Sequence, residues 1–169
     1  LRKNTIVVCV SDHGYLLGEH NFWKKNQLWE EAMRVPMIIS APNQAARGDE
    51  CEHLVELVDI YPTVQELAGL TADPESQGIS LVKLLQDADA TLKRRDAFIH
   101  TKAGYGLRSG KWAYAWYPAT KKHKQEGVML YDMEKDPEQY TNLALNPDYA
   151  GTRKQLHGRL IERIQTARE

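Results

Sequence analysis

Two short clusters near the start of the chain carry the side chains best suited to chemistry. The first is Ser11-Asp12-His13-Gly14; the second is Gly18-Glu19-His20, followed by Trp23-Lys24-Lys25. A carboxylate beside an imidazole suits a divalent cation, and a hard ion such as calcium or magnesium would draw on Asp12 most strongly. Neighbouring residues on a regular strand point to opposite faces, so Asp12 and His13 serve one ion only where the backbone turns. Gly14 permits that turn. The plainer alternative is that Asp12 caps the next turn and His13 lies on the surface. In the second cluster a lysine can meet an anionic oxygen and stabilise charge that builds on it during reaction. Lys24 and Lys25 are consecutive and diverge, so one can serve a site while the other stays in water.

These residues need a frame. Thr5-Ile6-Val7-Val8-Cys9-Val10 is a nearly continuous β-branched run, the pattern of a strand buried on both faces of a parallel sheet. Catalytic groups in α/β sheets gather at the carboxyl ends of strands, where Asp12 and His13 stand. Val35-Pro36-Met37-Ile38-Ile39-Ser40 predicts a second strand, with its proline near the start. Leu54 to Leu70 reads as helical, with Asp59 capping a turn near Pro62 and Gly69 as the stop. Ser80 to Leu85 predicts another short helix. From about Asp96 the chain turns to short aromatic strands at 97–100, 111–117 and 128–132. In the middle one, Trp112, Tyr114 and Trp116 share a face, the pattern of an antiparallel sheet with one wet side. Core packing beneath the terminal helix is the expected use of that face; stacking of Trp112, Tyr114, Trp116 and Tyr117 on sugar rings is the alternative. The last helix starts near Asp148 and carries the stripe Leu156, Leu160, Ile161 and Ile164.

Composition excludes several classes. Lys and Arg total 22 against 23 Asp and Glu, a formal charge of −1, which gives no electrostatic footprint for nucleic acid. No run approaches the ~18 consecutive apolar residues of a membrane span. Two cysteines, Cys9 and Cys51, are too few for a disulfide framework or a zinc cage.

The quoted clusters, with Trp29-Glu30-Glu31 and Arg34-Val35-Pro36-Met37-Ile38, resemble the C-terminal signature of the formylglycine-dependent sulfatases, in the alkaline-phosphatase-like superfamily. The likeness is closest to the iduronate-2-sulfatase-like and choline-sulfatase-like branches. Val58-Asp59-Ile60-Tyr61-Pro62-Thr63, Leu67-Ala68-Gly69-Leu70, Leu107-Arg108-Ser109-Gly110-Lys111-Trp112, Leu130 to Pro137 and Thr141-Asn142-Leu143 are similar to later family segments, in the expected order. The resemblance implies an α/β fold: residues 1–95 as the C-terminal part of the catalytic domain, and 96–169 as a small antiparallel sheet with a terminal helix. It implies a sulfuric ester hydrolase in which Asp12 and His13 bind Ca²⁺, Lys25 holds the sulfate and stabilises charge during cleavage, and His20 lines the substrate pocket. Lys24 fills a variable position, and Arg34 is expected to support the start of the strand through a buried ion pair with Glu30 or Glu31.

The family's formylglycine arises from a cysteine in a Cys-x-Pro-Ser-Arg context, which neither Cys9 nor Cys51 occupies; both are expected to be structural or incidental. The paired aspartates that complete the family's calcium site are also absent. The expectation is therefore the C-terminal portion of a sulfatase, inactive alone, whose substrate is a small-molecule or carbohydrate sulfate ester. It would hide its first strand by homo-oligomerisation or against the N-terminal portion. Two other readings remain: a phosphodiester or phosphonate ester hydrolase of the same superfamily, and a non-catalytic binding or assembly module.

Overall fold

The structure is a computed structural model that describes residues 2–167. The chain forms two compact units. One runs to Asp12 and resumes from Val35 to Arg95; the other holds His13–Arg34 and everything from Asp96 onward.

In the first unit, β1 (Val7–Val10) and β2 (Met37–Ser40) pair antiparallel, Val7 against Ser40 and Val10 against Met37. The expected parallel, doubly buried strand is therefore corrected for the described residues. Met37 and Ile39 pack on a cluster of Leu81, Leu84 and Leu92, whereas Val7 and Ile38 on the opposite side are 55% and 61% exposed. A continuous apolar run records that both faces are apolar, but not which neighbours meet them. Cys9 lies on that outward side and is exposed, as is Cys51.

α2 (Ile60–Leu67) follows a single helical turn at Leu57–Asp59 and stops before Gly69, whose φ of +69° suits a residue without a Cβ. Asp59 does not cap α2. Its fully buried carboxylate accepts the amides of Glu56 (2.7 Å) and Ile79 (2.9 Å) and pairs with Arg94, whose Nη1 donates at 3.0 Å. A buried carboxylate is tolerable only with such a full set of donors. α3 (Val82–Gln86) supplies Leu84 and Leu85 to the core.

In the second unit, α1 (Glu30–Met33) precedes a four-stranded antiparallel sheet of β3 (Asp96–His100), β4 (Tyr105–Ser109), β5 (Trp112–Tyr117) and β6 (Gly127–Asp132), in sequential order. β4, which the sequence did not announce, is a central strand. α4 (Ala150–Thr166) lays Leu156, Leu160 and Ile164 on Leu107, Tyr114 and Leu130, with Trp112 and Trp116 beside them. Each such side chain taken fully from water contributes about 1.5–3 kcal/mol. The aromatic face thus serves as core. Arg159 and Arg163 of α4 both pair with buried Asp96 at the start of β3.

The expected wet side is covered. Gly106 faces Leu28, and the cross-strand row Arg108, Ala113, Tyr131 on the same face meets the two residues that follow. Trp29 Nε1 donates to the Tyr131 hydroxyl at 3.3 Å, and Arg108 Nε donates to the Glu30 carboxylate at 2.6 Å. Residues 28–30 therefore cover this second face of the sheet. Among the described residues, no helix is long and apolar enough to cross a membrane.

Candidate active site

Asp12 is the last residue of the first unit and is exposed, just past the carboxyl end of β1. His13 opens the second unit, and there its surroundings are built by local backbone. Gly14 donates its amide to the Ala32 carbonyl (2.9 Å), and its Cα lies so close to α1 that a Cβ would sit 1.9 Å from the Glu31 carbonyl oxygen. Only glycine brings the turn this near, and the residue before it is fixed as a result.

The chain then runs out and back. Leu16, fully buried, donates its amide to the Lys24 carbonyl (3.1 Å), and Gly18 donates to Phe22 (3.0 Å). The tip is tight: Gly18, His20 and Asn21 have φ of 129°, 51° and 61°. Glu19 ties the tip down by accepting the Leu17 amide. Hydrogen bonds from its own amide and that of Leu17 hold its carboxyl below the usual range.

This excursion returns Lys25 to His13. Lys25 Nζ lies 2.8 Å from His13 Nε2, and His13 Nδ1 lies 2.7 Å from the Gly14 carbonyl. An ammonium can only donate and a carbonyl can only accept, so these two partners match the tautomer with its proton on Nδ1 and its lone pair on Nε2. The backbone carbonyl thus holds Nδ1, and the single Nε2 lone pair is taken up by the Lys25 ammonium. Lys24 diverges as expected, its Nζ 4.6 Å from the centre of the Phe22 ring.

His20 sits behind this surface. Its side chain is 8% exposed, its ring stacks on Trp29 (centroids 4.4 Å apart, planes 5° apart), and Tyr140 lies against it at 5.2 Å. Arg34 is exposed and does not form the expected ion pair; Glu30 is taken by Arg108 and Glu31 faces His20. Sequence reasoning missed the Glu30–Arg108 and Trp29–Tyr131 pairings. Both lie inside quoted motifs, yet 78 and 102 residues separate the partners, and spacing carries no signal at that range. Among the described residues, no group of three or more His, Cys, Asp or Glu side chains stands ready to hold a metal ion.

Fold comparison places the chain among the sulfatases. It superposes with a TM-score of 0.86 and 28% identity on a protein solved in complex with its substrate D-glucosamine-2-N,6-O-disulfate, covering 97% of this chain and 35% of that one. A 2-O glycosaminoglycan sulfatase matches with a TM-score of 0.82 and 28% identity over 99% of this chain and 37% of that one. The family model described as N-sulphoglucosamine sulphohydrolase, C-terminal, matches residues 18–166, and the chain belongs to that family. An arylsulfatase of Clostridium perfringens is 33% identical over 99% of this chain and 35% of its own length. The chain thus spans about a third of the relatives it matches.

Proposed function

We propose that these residues form part of a sulfuric ester hydrolase that converts a sulfate ester and water to an alcohol and sulfate. The observation that carries the reading is the Lys25 ammonium held against His13 inside a sulfatase-family segment. In it, Lys25 binds the sulfate oxygens and offsets the negative charge that grows on them as the ester bond breaks. Asp12 and His13 are assigned as two ligands of a larger Ca²⁺ shell, because a carboxylate oxygen beside an imidazole suits a hard divalent ion that takes six or more donors. When bound, the ion supplies positive charge that polarises the sulfate group. The Nε2 lone pair of His13 is taken up by Lys25 at 2.8 Å, so His13 would bind the ion only once Lys25 has moved off it toward the sulfate oxygens.

The formylglycine nucleophile is assigned outside residues 1–169, because neither cysteine stands in its motif; this chain alone is expected to be inactive. Residues 1–95 are assigned to the catalytic domain and 96–169 to its C-terminal subdomain. The substrate is a small-molecule or carbohydrate sulfate ester, in keeping with the disulfated glucosamine held by the structural relative. The buried position of His20 makes its proposed contribution to the pocket indirect. The exposed apolar side of β1 and β2 is assigned to association, with a second copy or with the rest of the protein; light scattering on this chain should show species larger than a monomer.

The deciding experiment assays the full-length protein on paired aryl sulfate and aryl phosphate diester substrates. Preference for the sulfate supports the reading. Preference for the diester replaces it with the phosphoryl alternative, and no turnover of either points to a non-catalytic module.

A further inference from the structure

We infer that His20 and Glu31 are positioning residues that set how the Lys25 arm meets His13. The inference rests on the proposed role of Lys25 for its functional meaning, but its geometry stands by itself. His20 lies at the tip of the excursion that begins at His13 and ends at Lys25, in a left-handed conformation (φ 51°) that turns its ring inward. The ring is clamped by Trp29 and Tyr140, and its side chain is more than nine-tenths buried. Its Nε2 points at Glu31 Oε2 at 3.8 Å, and both atoms are buried without a hydrogen-bond partner.

Two buried polar atoms that face each other without hydrogen-bond partners are expensive to keep, unless the contact between them is what holds the tip of the excursion in place. Glu31 is also the residue whose backbone carbonyl presses on Gly14, immediately after His13. One end of the pair therefore sits on the tip of the Lys25 excursion, and the other on the segment that fixes the His13 turn. Two backbone bonds, Leu16 to Lys24 and Gly18 to Phe22, tie the arms of the excursion together, so a displacement of the tip carries Lys25 with it. The pair acts on the site through position alone; neither residue touches the anion.

The test uses this chain with ¹⁵N-labelled histidine and three variants: Glu31→Gln, His20→Phe, which keeps a flat ring on Trp29, and His20→Gln. In the unaltered chain the His13 ring nitrogens should read as the Nδ1–H tautomer, with Nε2 accepting a hydrogen bond. In Glu31→Gln and His20→Phe they should move toward those of a free imidazole, and affinity for inorganic sulfate should fall about tenfold. Amide signals of β5 and α4 should stay in place. His20→Gln, which retains a polar group toward Glu31, should recover part of the change. Unchanged His13 signals in a folded Glu31→Gln or His20→Phe chain would overturn the inference. If His20→Phe does not fold, Glu31→Gln, nearly identical in shape, decides. If the unaltered chain does not bind sulfate, the affinity comparison is made in the full-length protein, and the His13 signals still judge the positioning claim.

Discussion

Lys25 Nζ meets His13 Nε2 at 2.8 Å, twelve residues after it in the chain, and the contact fixes the tautomer of the histidine. The cation and the Lewis base are brought together by a short out-and-back path whose arms are tied by backbone hydrogen bonds. A site that depends on backbone at this density should respond sharply to small changes in shape as well as to loss of charge.

Replacing Lys25 by alanine in the full-length protein should lower kcat on an aryl sulfate about 10²–10³-fold, the usual cost of removing one donor to a developing oxyanion. Arginine should restore only part of the rate, because its planar fork does not reproduce a compact ammonium. Steady-state kinetics on the two variants checks this, and an unchanged kcat in Lys25→Ala would remove the lysine from the reaction.

Calorimetric titration of this chain with Ca²⁺ should give weak binding, with Kd on the order of 10⁻⁴–10⁻³ M or higher, as suits a site with few charged ligands. Asp12→Ala should abolish the heat. Binding of equal strength in that variant would assign the ion to other residues.

Gly14→Ala should destabilise the second unit by about 1–3 kcal/mol. The new Cβ would meet the Glu31 carbonyl at 1.9 Å, and backbone cannot swing aside as a side-chain tip would. Urea unfolding measures the loss, and a fully stable Gly14→Ala chain would contradict the close approach.

Breaking the Asp59–Arg94 pair by Arg94→Met should cost about 3–5 kcal/mol, because the carboxylate left behind is fully buried. Changing both residues to apolar ones of similar size should cost less than the single change. A denaturant series on the single and double variants tests the ordering.

The pH dependence has two limbs. Burial pushes the phenols of Tyr114 and Tyr117 up to about 12. A raised phenol stabilises the fold fully below the unfolded value of about 10, and that contribution disappears as pH rises from about 10 through 12. Burial raises the Tyr131 phenol as well, so of the eight tyrosines three should ionise late in an ultraviolet titration, with Tm falling over the same window. At the acid end, the hydrogen bond from Lys111 holds the Asp132 carboxyl below its usual range. Its contribution is present above the ordinary carboxylate value and is lost as pH falls through the lowered one, so Asp132→Asn should flatten the acid limb of Tm against pH.

Much of the second unit was legible in the sequence, because its signals are local. The period-two face of Trp112, Tyr114 and Trp116 and the stripe Leu156, Leu160 and Ile164 meet each other in the core. β4 was not legible: Gly106 must be small to admit Leu28, so the strand lacks the apolar alternation that marks its neighbours. The antiparallel pairing of β1 escaped notice because apolar runs do not encode direction. Asp59 looked like a helix cap because its partner, Arg94, lies 35 residues away. At the site, Asp12, His13 and Lys25 stood out by residue type, while the contacts that orient them come from Gly14, Trp29 and Glu31.

The discontinuity of the second unit limits how this region can be recombined. A piece beginning at Asp96 would keep all four strands and α4, yet lose Leu28 from Gly106, Trp29 from Tyr131 and Glu30 from Arg108. The obvious splice point between residues 95 and 96 is therefore a poor one for fusions, and for exchange of this sheet between relatives. A transplantable module would have to carry residues 13–34 along with the sheet, and with them Lys25 and His13, so the sheet and this part of the site are inherited together.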